Sequence, residues 1–445
     1  MGSINIDNTG SGGAITLSSD GTSLLLGGTA VGGGVDLYAA NEVSVTAQPS
    51  ATGDDAVAIG DSAAASGAND FAIGRSATAS GSDSIALGYS TTASGNGSFA
   101  ALNSTASGSA AIAIGGTAVS SGTSTLAIGY GTDATSDFST AVGRNAQARA
   151  TSANAFGRDA YAIGTQATAI GDSYASGTDS FAAAIGNNTS SYGATGGYSV
   201  SIGYQSKATV QGVSIGTSTT ASGLYGTALG LSTTASGQYS FTVGRSNTAS
   251  GNYSSIVGGF SNTADASYSH IIGGFASTTN SKQYSTVIGP YAKAKAENSL
   301  TFGSNALGTG SGSVQKSTYP LFADTTDATA TVLTTDNSSA GSYNQVSVGS
   351  DFAVAFSGLI VAREQASGGT DCAAWEVKGL LVQASANSTV TLVNSAITVI
   401  DNTPGWTIAL STDTTNGSLS ITATGAASTN IRWLATIETA DLNYG

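Results

Sequence analysis

The chain has 445 residues, of which 61 are glycine and only 9% are charged, against roughly 25% in an ordinary globular domain. Its 13 lysines and arginines are scattered and its net charge is −14, which excludes the basic surface of nucleic-acid-binding proteins and disfavours binding to anionic membranes. One cysteine, Cys372, and one histidine, His270, exclude an internal disulfide and a zinc site with two or three histidines. We expect no metal and no cofactor.

Residues 1–52 predict short strands separated by turns. Asp20-Gly21 lies between two apolar runs, as in a β-hairpin, and Pro49 marks a boundary. The segment is too small for a core of its own, so we expect it to dock on something larger or to be closed by association of chains. The start, MGSINIDNTG, has no basic or apolar region, so we expect no signal peptide. No stretch of the chain reaches the length of a transmembrane helix, about 18 apolar residues.

Residues 53–306 repeat a unit of 14 residues, with a few shorter or longer units. Each unit predicts a strand such as Val57-Ala58-Ile59, in which Val57 and Ile59 share one face and Ala58 takes the other, and then a short strand of small residues closed by glycine. Glycine, serine and threonine at a spacing of two disfavour a helix. Stacking of such units predicts an all-β parallel roll of about 17 coils. We expect isoleucine in a thin core and an alanine-rich second face suited to an oligomer axis.

The recurring pattern SxAIG…A…SG resembles the head repeats of the YadA-like trimeric autotransporter adhesins. The resemblance implies a left-handed parallel β-roll that forms a homotrimer. Similar repeats occur in bacteriophage tail fibres. The signal, heptad stalk and membrane anchor of the autotransporters are not visible in this sequence, and that difference favours a bacteriophage fibre.

Residues 307–320 are rich in glycine and serine and predict a connector that ends at Pro320. Residues 321–445 contain all three tryptophans and six to eight alternating segments, which predict a compact antiparallel β-sandwich or jelly-roll. Asn416-Gly417 predicts a hairpin turn. The segment from GWTIAL to IETAD, residues 405–441, resembles C-terminal domains of phage tail-fibre-like proteins.

The position that follows the coil glycine is a candidate binding edge. In a regular coil these residues form a line, and arginine and tyrosine suit binding surfaces, including surfaces that bind sugars. The alternative is an exposed turn that accepts any residue, since Asp61, Thr217 and Leu231 also occupy it. The arginines and tyrosines at this position are Arg75, Tyr89, Tyr130, Arg144, Arg158, Tyr204 and Arg245.

Exposed tryptophans could bind sugar in the C-terminal domain. Trp375, Trp406 and Trp433 lie inside alternating strands, however, which favours core packing. Both interpretations remain open from the sequence.

Other reactive residues have simpler interpretations. His270 is expected to be structural or on the surface, and Cys372 to be a small buried residue. The pairs Asp54/Asp55 and Asp324/Asp327 are expected in turns, although glycosidases use two carboxylates. The recurring threonines are expected inside the coil or at a subunit contact, although flat threonine arrays occur in ice-binding solenoids. They are Thr78, Thr92, Thr220, Thr234 and Thr248.

The sequence therefore predicts a non-enzymatic, homotrimeric bacteriophage tail fibre, made in the host cytoplasm. Residues 1–52 would attach to a tail or capsid protein, residues 53–306 would form the shaft, and residues 321–445 would bind a glycan or protein on the host surface. A capsid-attached head fibre, a bacterial surface adhesin, a tailspike depolymerase and an ice-binding solenoid are the alternatives. The candidate receptor-binding residues are Arg75, Tyr89, Arg144, Arg158, Trp375, Trp406 and Trp433.

Overall fold

The computed structural model describes residues 48–186, 191–304, 310–366 and 370–443, and the backbone of four earlier strands, Ile4–Ile6, Ile15–Ser19, Leu24–Leu26 and Thr29–Ala30. The chain divides into two compact units, Met1–Asp159 and Ala160–Gly445. Regular structure in the described residues is β throughout, apart from one 3₁₀ turn at Asn387–Thr389. None of these residues belongs to a helix long and apolar enough to cross a membrane.

The four N-terminal strands pair in chain order as an antiparallel sheet. Ser19 pairs with Leu24, which confirms the predicted hairpin between Ile15–Ser19 and Leu24–Leu26. The turn residues Asp20-Gly21 lie outside the described residues.

The coils of the first unit place strands in two parallel sheets. Their register is in phase: Ile85 pairs with Phe71 in the preceding coil and with Phe99 in the following one. The first sheet contains Val57–Ile59, Phe71–Ile73, Ile85–Leu87, Phe99–Ala101, Ile112–Ile114, Leu126–Ile128, Thr140–Val142 and Asn154–Phe156. The second sheet contains Ser50–Ala51, Ala64–Ala65, Thr78–Ala79, Thr92–Ala93, Thr105–Ala106, Val119–Ser120, Asp133–Ala134 and Gln147–Ala148.

The second unit begins with coils of the same kind. One parallel sheet contains Thr168–Ile170, Phe181–Ala183, Val200–Ile202, Val213–Thr217, Thr227–Leu231, Phe241–Arg245, Ser255–Phe260, His270–Ile272, Thr286–Ile288 and Leu300–Gly303. The other contains Tyr161–Ala162, Tyr174–Ala175, Gly193–Ala194, Lys207–Ala208, Thr220–Ala221, Thr234–Ala235, Thr248–Ala249 and Thr263–Ala264. These coils confirm the predicted parallel β-roll.

Small side chains fill the interior of the coils. Ala86 and Ala93 are fully buried, whereas Ile85 and Leu87 on either side of Ala86 face outward and are half-buried. The prediction that alternate residues share a face is confirmed, but the expectation of isoleucine in the core was wrong for most coils and holds in the last ones, at Ile256 and Ile271. In most coils the inward-facing position of the first strand holds only alanine, serine or threonine, whereas in the last coils Ile256, Ile271 and Val287 occupy this position. The alanine face is therefore the interior, and the isoleucine face is the one left for a partner.

Glycine serves two different purposes in the coil. Gly88, after the first strand, has φ +118°, which glycine adopts without the strain that a side chain would bring. Gly81, at the end of the second strand, lacks a positive φ, but a Cβ there would lie 2.2 Å from the carbonyl oxygen of Gly95 in the next coil. Positive φ was expected at both positions. Close stacking of the coils is the reason at the second.

The C-terminal part of the second unit packs two antiparallel sheets against each other. The large sheet joins Val314–Thr325, Ile431–Asn443, Phe352–Glu364, Cys372–Gln383 and Thr391–Asp401 in that order. The small sheet contains Thr331–Val332, Val346–Ser347, Thr407–Asp413 and Ser418–Thr424. One core of buried side chains lies between them. The expected antiparallel domain is confirmed, and Asn416-Gly417 lies in the hairpin that joins Thr407–Asp413 to Ser418–Thr424.

Part of the predicted connector, residues 307–320, belongs to a strand. Val314–Thr325 pairs antiparallel with the last coil strand, Leu300–Gly303, and with Ile431–Asn443 on its other edge. Pro320 lies two residues beyond the last pair with the coil, Leu300 with Thr318. Because the strand has lost that neighbour there, a residue without an N–H is tolerated.

Candidate functional site

The arginines and tyrosines that follow the coil glycine in the first unit are exposed, and two of them contact each other. The guanidinium carbon of Arg75 lies 4.5 Å from the centre of the Tyr89 ring in the next coil, and Tyr89 is 55% exposed. This is a cation–π contact at the surface. The arrangement agrees with the predicted line along one edge.

The two later arginines of the first unit meet at a carboxylate. Nε of Arg158 lies 3.3 Å from Oδ2 of Asp159, and Nη2 of Arg144 lies 4.0 Å from the same atom. Asn145 donates a hydrogen bond of 2.9 Å to Oδ1 of Asp159. Both arginines are mostly exposed, but their charge is partly balanced by Asp159. The structure thus brings Arg144 and Arg158 together, in coils other than those of Arg75 and Tyr89.

In the second unit several residues at the same repeat position are aromatic. Arg245 lies 4.9 Å from the centre of the Phe260 ring, and the Phe260 and Phe275 rings are 5.3 Å apart. Tyr291 then meets Phe275 edge-to-face at 5.1 Å. Earlier at the same repeat position, Tyr204 is exposed.

A stacked row of tyrosines, which the sequence analysis missed, occupies another turn of the second unit. Neighbouring rings are nearly parallel with centres 4.8–5.1 Å apart, and each tyrosine is 42–53% exposed. All have φ near +55°, a conformation that costs a non-glycine residue energy. The signal was present in GLYG, GQYS, GNYS, ASYS and KQYS at steps of 14 to 16 residues. This tyrosine ladder consists of Tyr225, Tyr239, Tyr253, Tyr268 and Tyr284.

The structure places the three candidate tryptophans in the C-terminal core. Trp375, Trp406 and Trp433 are at most 3% exposed. Trp433 stacks on Trp375 at 5.7 Å and meets Trp406 at 5.8 Å, and its indole N–H donates to Oγ1 of Thr325. Their ring faces contact each other, so in this structure they present no surface to a receptor.

The single histidine and the single cysteine are both at the surface. Nδ1 of His270 and Oγ of Ser255 are hydrogen-bonded at 2.7 Å on the outer side of the coils. Cys372 begins a strand and is exposed, so the expectation of a buried cysteine was wrong. Ala373 and Trp375 face the core, so alternation along the strand places Cys372 on the outer side of the sheet.

The candidate carboxylates and threonines have structural partners or partly buried positions. Asp324 accepts hydrogen bonds from Arg432 and Gln365, and Asp327 accepts one from the backbone N–H of Thr329. Asp54 and Asp55 lie in an exposed turn. No three histidine, cysteine, aspartate or glutamate side chains within the described ranges are grouped as metal ligands. The threonines that begin the second-sheet strands stack in register, as Thr220 does with Thr234, and are half-buried.

The outward side of the first sheet carries an apolar surface in each unit. We call the residues just before and just after the inward-facing residue of each strand the outer apolar face. In the first unit, Phe71 and Ile73 flank buried Ala72 and are 41% and 38% exposed. In the second unit this face includes the exposed residues Ile170, Ile215, Val257, Ile272 and Phe302. Contiguous exposed apolar surface of this kind marks an interaction site.

The C-terminal domain also leaves apolar residues uncovered. The edge strand Thr391–Asp401 is exposed along nearly its whole length, with Val393, Val399 and Ile400 more than half exposed. An apolar edge strand is a template for pairing with another chain. Leu359 in the neighbouring part of the sheet is equally exposed.

The coils match a known family. A two-copy model of the YadA head domain repeat matches residues 51–77, 79–101, 106–132, 120–146, 134–160, 194–212, 210–233 and 281–306. These matches fall on the coils of both units and confirm the predicted resemblance to YadA-like head repeats. The search of curated proteins found no match to the chain.

Proposed function

We propose that this chain, whose coils contain YadA head domain repeats, is a homotrimeric bacteriophage tail fibre that attaches the virion to a receptor on the host surface. The repeats give the chain an adhesin-like character. The homotrimer, the virion and the receptor are the parts that we propose.

The outer apolar face carries this proposal. Isoleucine, valine and phenylalanine side chains recur there coil after coil, although the interior of most coils is filled by small side chains. Covering them with a second and third copy would remove apolar surface from water, at about 25 cal/mol for each Å² buried. Because the outer apolar face repeats from coil to coil, the same face on two chains can stay in contact over many coils. Such a repeated contact favours a symmetric oligomer.

The two ends of the chain supply the other roles in this proposal. The N-terminal antiparallel strands are the segment that would join a tail or capsid protein. The C-terminal domain, with its uncovered strand Thr391–Asp401, would bind the receptor, a glycan or protein of the host surface. Three copies of a weak site on one trimer would add to a useful avidity.

We propose binding rather than catalysis. Two of the aspartates considered for a hydrolase have structural roles: Asp324 forms an ion pair with Arg432, and Asp327 accepts the N–H of Thr329. A depolymerase would need carboxylates from two subunits in one cleft. Incubation of the chain with host polysaccharide, followed by viscometry, tests this directly: a fall in viscosity would contradict the proposal.

A bacterial surface adhesin is the second candidate. The match to YadA head repeats favours it, because these repeats take their name from an adhesin. Immunogold labelling distinguishes the two: label on virions supports the fibre, and label on the surface of uninfected bacteria supports the adhesin.

The solution mass of the purified full chain tests the oligomer. Light scattering coupled to size-exclusion chromatography should give three times the chain mass of 43.3 kDa. A monomeric mass at micromolar concentration would contradict the trimer.

Receptor attachment is tested with the same full chain. Cys372 is exposed and is the only cysteine, so a maleimide dye labels one position. Labelled chain should bind some strains of a bacterial panel, and unlabelled chain should reduce virion adsorption to those strains. Binding to every strain alike, with no effect on adsorption, would contradict the function.

A further inference from the structure

A cavity of about 360 Å³ lies between the last coils and the C-terminal domain of the second unit. Three lysines line it, Lys282, Lys293 and Lys295, opposite Ser347 and Phe352 of the C-terminal domain. The whole chain has 13 lysines and arginines and a net charge of −14. A cluster of three lysines in one cavity therefore stands out against the general charge of the protein.

Lys295 forms the base of this lysine cavity and is held in place by the fold. Its ammonium lies 2.9 Å from Oδ2 of Asp441, donates to the carbonyl of Val348 at 2.8 Å and sits 3.7 Å from the centre of the Phe352 ring. Asp441 thus balances its charge. Lys295 therefore has a structural role in the cavity wall, and Lys282 and Lys293 are the lysines available to a ligand.

Lys282 and Lys293 have no carboxylate this close, although Glu297 lies near enough to Lys282 for its charge to act on the ammonium. Within the described part of the chain, neither ammonium forms an ion pair within 4.0 Å, whereas exposed Lys316 pairs with Glu438 at 2.9 Å. Burial lowers the pKa of Lys282, Glu297 raises it, and the nearby charge of Lys293 lowers it further. Lys293 also lowers the pKa of Lys295, though less than burial does. Positive charges that repel each other in a partly dry cavity would be stabilised by an anion.

Hydroxyl and amide groups complete the lining. Ser347 and Ser342 come from the C-terminal domain and Asn280 from the coils, so polar side chains line the cavity together with the lysines. The volume lies near the lower end of the range for small-molecule sites, about 300–1,000 Å³. It suits a ligand of the size of one sugar ring.

We propose that the lysine cavity binds an anionic group, a carboxylate or phosphate on a ligand the size of a monosaccharide, held by Lys282 and Lys293. The inference does not depend on which particle carries the chain or on what that particle attaches to.

Isothermal titration calorimetry on the full chain tests the cavity with three probes. Galacturonate carries a carboxylate, glucose 6-phosphate carries a phosphate, and galactose is the neutral control. Binding of either acidic sugar, without binding of galactose, supports the proposal and identifies the preferred anion. Equal binding of galactose would overturn the proposal. So would the absence of binding of either acidic sugar at millimolar concentration and a 10-fold molar excess over the protein.

Variants locate the binding. The double change Lys282→Gln and Lys293→Gln should weaken the acidic probe at least 10-fold, and Lys293→Glu should abolish its binding. Lys378→Gln, at an exposed lysine of the C-terminal sheet, should leave it unchanged. Neither Lys282 nor Lys293 holds another side chain in place through an ion pair, so unfolding temperatures should stay near that of the parent chain. Unchanged affinity in a folded double variant would refute the assignment.

Discussion

The ammonium of Lys295 lies 2.9 Å from Oδ2 of Asp441, and both side chains are buried. One residue belongs to the last coils and the other to the final strand, Ile431–Asn443. Gln315 donates to the same carboxylate oxygen. The pair thus joins the coils to the C-terminal domain within the second unit. The same final strand also carries an exposed ion pair, Glu438 with Lys316, which can be compared with the buried one.

We expect Asp441→Asn to destabilise the chain by about 3–5 kcal/mol, because it leaves the buried Lys295 charge without a partner. Glu438→Gln is the control, since an exposed pair contributes only about 0–1 kcal/mol. Chemical unfolding followed by tryptophan fluorescence measures both, as all three tryptophans lie in the C-terminal core. Equal losses in the two variants would contradict the role of burial.

Asp265 should make the coils of the second unit sensitive to acid. Burial raises the pKa of its carboxyl, but hydrogen bonds from the backbone N–H of Ser281 and from the hydroxyls of Thr279 and Ser281 outweigh burial, so the pKa is lower than 3.8. The ionised form therefore stabilises the fold above the unfolded pKa, and this stabilisation is lost as pH falls through the folded pKa. Asp265→Asn should lose stability at pH 7 and show a shallower further loss below about pH 4. Urea unfolding at a series of pH values measures this, and an unchanged slope in acid would contradict it.

Substitutions at two glycines of the second unit distinguish the cost of disturbing coil stacking from the cost of an unfavourable backbone conformation. A Cβ on Gly223 would lie 2.0 Å from the carbonyl oxygen of Gly237, whereas one on Gly171, at φ +71°, would touch nothing within 4 Å. Gly171→Ala should cost only the left-handed conformation, about 1–2 kcal/mol. Gly223→Ala must push coils apart and should cost more, about 3 kcal/mol. Thermal unfolding compares them, and the reverse order would refute the steric explanation.

The tyrosine ladder should stabilise the coils in which it lies. Tyr253 stacks on Tyr239 and on Tyr268, so Tyr253→Ala removes two contacts worth about 0.5–1.5 kcal/mol each. Tyr198 is the matched control. It has the same positive φ and an exposed ring, and it makes no ring contact with a described residue. Tyr198→Ala should change the free energy of unfolding by less than about 0.5 kcal/mol, and an equal effect of the two changes would contradict the ladder's role.

A charge on the outer apolar face should prevent association. Ile215 is 39% exposed and stacks in register with Ile202 and Leu229. Ile215→Asp should lower the solution mass towards that of one chain, because a trimer would bury the carboxylate without a partner. Ser222→Asp, at an exposed turn, should leave the mass unchanged. An Ile215→Asp protein that keeps the mass of the parent would place the subunit contact elsewhere.

The sequence predicted the coil but not which face of its strands points inward. Alternation in Val57-Ala58-Ile59 decides which residues share a face, and the period of 14 decides which coils stack. Neither decides which face points inward when both are apolar. That depends on the space inside a closed coil, which in most coils holds alanine, as at Ala72 and Ala86. The predicted edge with Arg75 and Tyr89 followed from the period alone, since residues one period apart stack.

Features built from distant residues could not be predicted in this way. The lysine cavity combines Lys282 and Lys293 of the coils with Ser347 of the C-terminal domain, and no local pattern links them. The tyrosine ladder could have been found, because Tyr239 and Tyr253 are one period apart. Burial of Trp433 against Trp375 needed the packing of the two C-terminal sheets.

The strand that reverses direction after the last coil also ends the growth of the parallel sheet. A stack of parallel strands stops at an edge whose free N–H and C=O groups can accept an identical strand from another molecule. In this chain that edge, Leu300–Gly303, is bonded to the antiparallel strand Val314–Thr325, whose far side is bonded to Ile431–Asn443. The C-terminal domain is thus a terminator of the kind that repeat proteins need at their ends. It protects the stack from head-to-tail polymerisation, whatever ligand the domain itself binds.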